Sequence, residues 1–231
     1  AEQIDFYGAS LRFPSNLDTA HIQMYCLTKH LKNVLPVLEE ILSKPAFPEK
    51  ELQSISQRSK ERLKIDLENN DTVAYRTVTE LMYGKNHPYG EITSEETVNN
   101  ITLLDIEEFY RNYFVPENAY LIIVGDVEFE KTKELVTKAL TPWTKASPPS
   151  ISYGNPADAQ YTQINFIDMP NAVQSEIDVQ NIIDLKMTDP EYFPALLANK
   201  VLGGSFRSYL NASLREDKGY TYGAGSRMRA D

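Results

Sequence analysis

The sequence has no long apolar run and only one cysteine. No apolar stretch reaches the roughly eighteen residues that a membrane-spanning helix needs, so no span is predicted. Cys26 is the single cysteine; it excludes an internal disulfide and leaves the redox compartment open, with the bacterial cell envelope or periplasm as our working expectation. Residues 1–5 lack the basic and apolar regions of a signal peptide.

Positive charge is also scarce. The 23 Lys and Arg residues are outnumbered by 33 Asp and Glu residues, which gives a net charge of −10. A nucleic-acid-binding domain needs a broad basic face, so nucleic acid is not an expected partner. Peptides or another polypeptide are favoured. Apolar residues make up 42 % of the 231 residues, which is enough to form cores in one large or two modest domains.

The hydrophobic pattern predicts strands and helices in two groups. Strands are expected at 9–13, 21–27, 119–124, 161–168, 174–183 and 220–228, and helices at about 31–42, 48–67, 73–83, 105–113, 129–140 and 189–202, with one more before Gly219. Pro36 fits a helix only in its first turn, whereas Pro48 suits the first position of the long helix. The predicted class is α+β, two halves that each pack helices on one face of an antiparallel-rich sheet.

A shift in composition separates the two halves. Residues 141–160 contain four prolines (Pro142, Pro148, Pro149 and Pro156) and few apolar residues. We interpret them as a linker between a first domain at 1–140 and a second at 161–231.

A basic, tyrosine-rich stretch, residues 203–229 (called the corner below), stands out in this acidic chain. From residue 200 onward six cations face three anions: Lys200, Arg207, Arg215, Lys218, Arg227 and Arg229 against Glu216, Asp217 and Asp231. Such a stretch is suited to hold a carboxylate or a peptide backbone. It also fits a plain helix end, where cations complement the dipole and glycine stops the helix.

Two motifs in the corner resemble a known family. Residues 203–206, Gly-Gly-Ser-Phe, and 214–222, Leu-Arg-Glu-Asp-Lys-Gly-Tyr-Thr-Tyr, are similar to the closing signature of the pitrilysin/insulinase zinc metallopeptidases, which include mitochondrial processing peptidase. Further similar stretches follow the family's order at 47–52, 83–90, 109–119, 124–126 and 170–175. The resemblance implies two halves with the metallohydrolase fold of LuxS and the processing peptidases, joined by a linker. It also implies that this chain begins inside one half and stops inside the next.

The resemblance also implies a substrate site. In the family an arginine and a tyrosine seven residues later bind the substrate backbone opposite the zinc. In this sequence the pair corresponds to Arg215 and Tyr222, with Tyr220 as a neighbour.

The zinc motif of the family is missing from this sequence. Catalysis there needs His-x-x-Glu-His on a helix and a later glutamate as the third ligand. The three histidines (His21, His30 and His87) do not form this motif. The third-ligand position falls at Arg62, or at Glu61 if the count is off by one. We therefore predict no metal ligands and no cofactor in this chain.

The leading hypothesis is a non-catalytic half of a pitrilysin-type peptidase. It would hold a peptide or unfolded protein through Arg215 and Tyr222 while a zinc-bearing domain or subunit of the same family carries the metal. Two alternatives remain: a piece of an active zinc endopeptidase whose motif lies upstream, and a purely structural scaffold subunit.

The proposed linker yields a first prediction. Residues 141–160 have little apolar surface to bury, so limited proteolysis of the folded protein is expected to cut there first, as mass spectrometry of the early fragments would show. First cleavage within 50–68, the predicted long helix, would contradict both the helix and the domain boundary.

Overall fold

A computed structural model describes residues 2–154, 156 and 161–229. The chain divides into two compact units, 1–178 and 179–231. In the first unit the helices and strands are α1 (Glu2–Phe6), β1 (Ser10–Arg12), β2 (Gln23–Tyr25), α2 (Leu31–Ser43), α3 (Glu49–Asp66), α4 (Asn70–Tyr83), α5 (Glu95–Asn100), α6 (Leu103–Tyr113) and α7 (Phe129–Leu140), with 3₁₀ turns at Thr28–His30, Pro88–Gly90 and Pro116–Asn118. The second unit contains α8 (Tyr192–Leu202), α9 (Tyr209–Asn211) and a π-helical turn (Ala212–Asp217).

Helix α2 is the centre of the first unit because two of its faces are buried. Leu35, Leu38 and Leu42 form one apolar cluster with Val136 of α7. Val34, which is fully buried, forms a second cluster on another face, with Ile4 and Ala9. Strands β1 and β2 pair antiparallel. The side chain of Met24 on β2 packs against both clusters, so this small sheet lies directly on α2.

Several helices lie where the sequence predicts them, whereas α4 begins at Asn70 rather than at Val73 and the short helix α5 is not among the predicted elements. Helix α6 begins at the expected capping box: the Asp105 carboxylate accepts the Thr102 backbone N–H at 2.7 Å, and the Thr102 hydroxyl accepts the Asp105 N–H at 3.3 Å. Hydrogen bonds from the Thr102 side chain and backbone lower the pKa of Asp105. Helix α7 spans the predicted residues 129–140, and α3 ends one residue before the expected limit.

The two proline expectations are wrong in detail. Pro36 lies in the second turn of α2, because the helix begins at Leu31 directly after a 3₁₀ turn. At this position proline removes one backbone hydrogen bond, and its ring crowds the carbonyl four residues earlier. Pro48 is the residue before α3 rather than its first residue, and its carbonyl accepts the N–H groups of Glu51 and Leu52.

The main difference between the predicted and the observed secondary structure concerns the strands predicted after β2. Within the described residues, the segments 119–124, 161–168, 174–183 and 220–228 contain no β-strand. A strand exists only where a neighbour pairs with its backbone groups. In the first two segments Tyr120 is 99 % exposed and Ile164 is 95 % exposed, so no neighbouring layer covers these side chains. The described fold is therefore mainly helical, with one two-stranded sheet.

Residues 141–160, the predicted linker, lie within the first unit, and their first part packs against its helices. The Trp143 indole N–H donates to the Phe114 carbonyl at 2.8 Å, and its ring packs against the α2–α7 cluster. The Ala146 backbone N–H donates to the Glu117 carboxylate at 3.2 Å. Residues 155 and 157–160 lie outside the described residues, and the linker boundaries stay a prediction. No helix in the described part of the chain is long and apolar enough to cross a bilayer.

Candidate peptide-binding corner

Glycine at position 203 allows two segments of the corner to approach closely. Helix α8 ends at Gly203, whose N–H donates to the Asn199 carbonyl at 2.9 Å. The later segment 223–226 crosses directly over it. A Cβ atom at Gly203 would lie only 2.3 Å from the Ser226 backbone nitrogen, a distance that real Cβ atoms do not show. The glycine is therefore required for the contact as well as for ending the helix.

Two asparagines hold that segment in place. The Ser226 hydroxyl donates to Asn199 Oδ1 at 2.8 Å. Asn211 is only 4 % exposed and contacts both sides of the corner. Its Nδ2 donates to the Phe206 carbonyl at 2.7 Å, and its Oδ1 accepts the Ala224 N–H at 3.2 Å. A buried amide with both ends satisfied fixes the relative position of the loop before α9 and the segment after the π-helical turn.

The π-helical turn places Arg215 just before a glycine ending. Gly219 has a φ of +63°, the left-handed conformation that commonly ends helices. The Tyr220 N–H then bonds to the Leu214 carbonyl at 2.9 Å. This bond spans one residue more than in an α-helical ending of this type, because the wider turn contains one extra residue.

The guanidinium of Arg215 has two described neighbours. Its Cζ lies 4.5 Å from the centroid of the Phe206 ring, within the range of a cation–π contact. Its Nη1 lies 3.2 Å from a carboxylate oxygen of Glu216. That approach lacks the alignment of a hydrogen bond, and Nη1 is buried without a hydrogen-bond partner in the described part of the chain. A buried donor without a partner carries a desolvation cost, which would be relieved if the side chain turned to donate to a ligand oxygen.

The two tyrosines point away from the folded chain. A local turn fixes the backbone around Tyr222: the Thr221 hydroxyl donates to the Gly223 carbonyl at 2.8 Å and accepts the Gly223 N–H at 3.2 Å. The Tyr222 side chain is 90 % exposed. Tyr220 is exposed too, and Lys218 Nζ lies 5.8 Å from the centroid of its ring. In the residues that the structure describes, no contact joins Arg215 to Tyr222. Asn211 connects the two regions indirectly, because it bonds to the backbone of Phe206, whose ring contacts Arg215, and to Ala224, which follows Tyr222.

The sequence singles out Arg215, Tyr220 and Tyr222, whose role stays a prediction, and it does not point to Phe206 or Asn211, which contact the corner in the structure. The only signal for Asn211 was a polar residue between Leu210 and Ala212 in a helical stretch. Phe206 was read as part of the glycine motif, because nothing along the chain shows that its ring meets a guanidinium nine positions later.

The structure does not bring the candidate metal ligands together. His21 Nε2 lies 3.0 Å from the Thr19 hydroxyl, and His87 Nδ1 accepts the Tyr89 N–H at 3.1 Å. His30 packs its ring against Tyr7. Over residues 2–154, 156 and 161–229, no three histidine, cysteine or acidic residues are grouped as metal ligands would be.

The two candidates for the third ligand are engaged on the surface of α3. Arg62 forms an ion pair with Asp66 at 2.8 Å, one turn further along the helix. Glu61 accepts a hydrogen bond from Gln57 at 2.8 Å. These are ordinary contacts between residues four apart on an exposed helix. The described residues therefore do not fit a catalytic zinc.

Comparison with known proteins gives the family. The sequence profile described as "Peptidase M16 inactive domain" matches residues 100–231. The chain therefore belongs to the M16, or pitrilysin, family. The match is to its inactive domain, which confirms the prediction of a non-catalytic domain of this type.

Two curated relatives come from Bacillus subtilis. One, a "Probable inactive metalloprotease YmfF", is 26 % identical over 220 residues, covering 87 % of this chain and 50 % of the relative. The other, an "Uncharacterized zinc protease YmxG", is 20 % identical over 224 residues, covering 96 % of this chain and 53 % of the relative. This chain thus spans about half the length of the curated relatives it matches.

Solved structures show the same fold. A peptidase M16 inactive domain from Pseudomonas fluorescens superposes with a TM-score of 0.80 at 21 % identity, over 99 % of this chain and 56 % of that one. A protease from Helicobacter pylori gives a TM-score of 0.78 at 19 % identity, over 99 % of this chain and 56 % of that one. At these identities the likeness establishes the fold alone.

The close approach at Gly203 yields a second prediction. Gly203→Ala is expected to displace the segment 223–226 and to destabilise the second unit by roughly 1–3 kcal/mol, because the added methyl overlaps backbone rather than a movable side chain. Hydrogen exchange at the Ala224 amide would measure the loss directly.

Gly223→Ala is the matched control. A Cβ there meets only Asn211 Oδ1, at an ordinary 3.9 Å. Equal protection of the Ala224 amide in wild type and Gly203→Ala would show that the contact is not required.

Proposed function

We propose that this chain is a substrate-holding half of a pitrilysin-type zinc peptidase, binding a peptide through Arg215 and Tyr222. The observation that supports the proposal is that one side chain lacks a hydrogen-bond partner and the other is exposed to solvent. Arg215 Nη1 has no hydrogen-bond partner among the described residues, and Tyr222 is 90 % exposed on a backbone fixed by its neighbours. An exposed phenol, and a guanidinium nitrogen that lacks a hydrogen-bond partner and would have to turn outward to gain one, can both donate to the carbonyl groups of an extended peptide.

The chemistry of the pair suits holding rather than cleaving. Arginine stays protonated, so it cannot act as a general base. It donates from a rigid planar fork, while the phenol of tyrosine both donates and accepts. Held between such groups, a peptide loses translational and rotational freedom before the reaction, which is how positioning accelerates a step performed elsewhere.

The zinc belongs, in this proposal, to a partner domain or subunit of the same family. When bound there, it lowers the pKa of a water molecule and supplies the nucleophile. The residues described in this chain contribute binding and orientation of the peptide. The M16 inactive-domain match and the scattered positions of His21, His30 and His87 support this division of roles.

We also propose that the antiparallel sheets expected from the sequence form in the whole protein. The segments 119–124 and 174–183 are rich in apolar residues and largely exposed. We propose that they form strands once neighbouring strands of the whole protein pair with them. The TM-score of 0.80 against an M16 domain that is longer than this chain supports this view.

The Arg215–Tyr222 pair yields a third prediction. Arg215→Ala combined with Tyr222→Phe is expected to weaken binding of an unfolded peptide by the assembled enzyme by about tenfold or more, because a charged donor is lost. Stability should change by about 1 kcal/mol or less, since Tyr222 is exposed and the contacts of the partly buried Arg215 are an exposed ion pair and one cation–π contact. Fluorescence anisotropy and thermal melting measure the two effects.

Arg207→Ala combined with Tyr209→Phe is the matched control. It removes the same groups from two exposed residues of the same unit. If the Arg215 and Tyr222 change lowers the melting temperature strongly and leaves peptide binding intact, the pair stabilises the helix end instead.

A fourth prediction concerns the metal. Protein that has been washed with chelator and reloaded with zinc is expected to retain no stoichiometric zinc and to cleave no peptide, because about three converging ligands are needed. Elemental analysis and a peptide-cleavage assay test this expectation. One zinc per chain with histidine coordination, together with cleavage that a chelator abolishes, would contradict the non-catalytic role.

A further inference from the structure

We propose that Phe206 is a positioning residue for Arg215: the guanidinium lies on the Phe206 ring, and this contact sets the direction in which Arg215 presents its donors to a peptide. The inference rests on the proposed function, because it concerns the same peptide-binding corner. It adds a residue that the arginine–tyrosine pair does not include.

The geometry of the contact is direct. Arg215 Cζ lies 4.5 Å from the Phe206 centroid, inside the range of about 6 Å for a cation–π contact. The Phe206 side chain is 70 % exposed, so burial in a core does not explain its position. In the described part of the chain no other aromatic ring pairs with it. The cation is the specific contact that this ring makes.

The backbone that carries the ring is held by a buried group. Asn211 Nδ2 donates to the Phe206 carbonyl at 2.7 Å, and Asn211 is 4 % exposed. The other end of the same amide accepts the Ala224 N–H, two residues beyond Tyr222. One buried side chain therefore holds both the backbone at Phe206 and the segment that carries Tyr222.

The carboxylate of Glu216 is the rival explanation for the orientation of Arg215. Its oxygen lies 3.2 Å from Nη1, but its side chain is 59 % exposed. An ion pair at such exposure is weak and is screened by salt. It also holds only one nitrogen, whereas the ring, 4.5 Å from Cζ, contacts the guanidinium group as a whole. The ring therefore preorganises the donors better than the carboxylate does.

The test compares ring-deleting and ring-keeping variants of the full chain. The probe is a short fluorescein-labelled peptide with blocked termini and no charged side chains. Phe206→Leu and Phe206→Met are expected to weaken its binding about three- to fivefold, the size of a cation–π contact at a partly exposed site. Phe206→Tyr keeps the ring and should bind within about twofold of wild type.

Two controls separate the ring from its surroundings. Tyr209→Leu removes another exposed aromatic of the same unit, 72 % exposed, and should leave binding unchanged. Glu216→Gln removes the rival ion pair and should not weaken binding. The loss caused by Phe206→Leu should persist at high salt, because screening acts on the ion pair more than on the stacked contact.

A double-mutant cycle tests whether Phe206 acts through Arg215. In an Arg215→Ala background, Phe206→Leu should cause no further loss. The NMR chemical shift of the Arg215 Nε–H group gives a readout that does not need peptide. The Phe206 ring should displace this chemical shift from its usual value. Phe206→Leu should abolish the displacement, and Phe206→Tyr should keep it.

The outcomes distinguish the two proposals. If Arg215→Ala leaves peptide binding unchanged, or wild type does not bind the probe, the proposed function fails, and the Nε–H resonance still decides whether Phe206 orients Arg215. If Arg215→Ala weakens binding while Phe206→Leu and Phe206→Met bind like wild type, the positioning role alone is overturned. Equal losses from Phe206→Leu with and without Arg215 would overturn it too, because the ring would then contact the peptide directly.

Discussion

The arrangement of the corner depends on the absence of a side chain at Gly203. The Ser226 backbone nitrogen occupies space that a Cβ would fill, at 2.3 Å. Because the two segments approach so closely, the Ser226 hydroxyl can reach Asn199, and the Ala224 N–H can reach Asn211. Those bonds fix the segment that carries Tyr222. Without the glycine, the same polar groups would have to find water instead.

The sequence predicted several parts of the fold that depend on neighbours along the chain, although the short helix α5, which also begins with a capping box, was not among them. The capping box at Thr102 and Asp105, and the amphipathic pattern of α7, involve residues three or four apart, so their signals are local. Strands depend on partners at a distance. The apolar segment 119–124 was expected to be a strand from its composition, but composition does not supply the neighbour that a ladder requires.

The candidate site shows the same division. Arg215 and Tyr222 could be proposed from the sequence because a motif carries them, whereas the contacts of Phe206 and Asn211 exist only in the folded chain. The glycine pair was expected to end a helix, which it does at Gly203. Gly203 also leaves room for the backbone at Ser226. This second role could not be predicted, since Ser226 lies more than twenty residues further along the chain.

The surroundings of Arg215 also favour one kind of ligand. Basic charge alone would suit a carboxylate or a peptide backbone equally. Glu216 already holds a carboxylate oxygen 3.2 Å from Nη1, so an anionic ligand would meet repulsion from it and would have to displace it. A neutral peptide carbonyl meets no such repulsion and can accept a hydrogen bond from the unpaired donor. If the corner binds a peptide as proposed, the exposed carboxylate of Glu216 adds only a weak, salt-screened preference for neutral carbonyl groups over free anions.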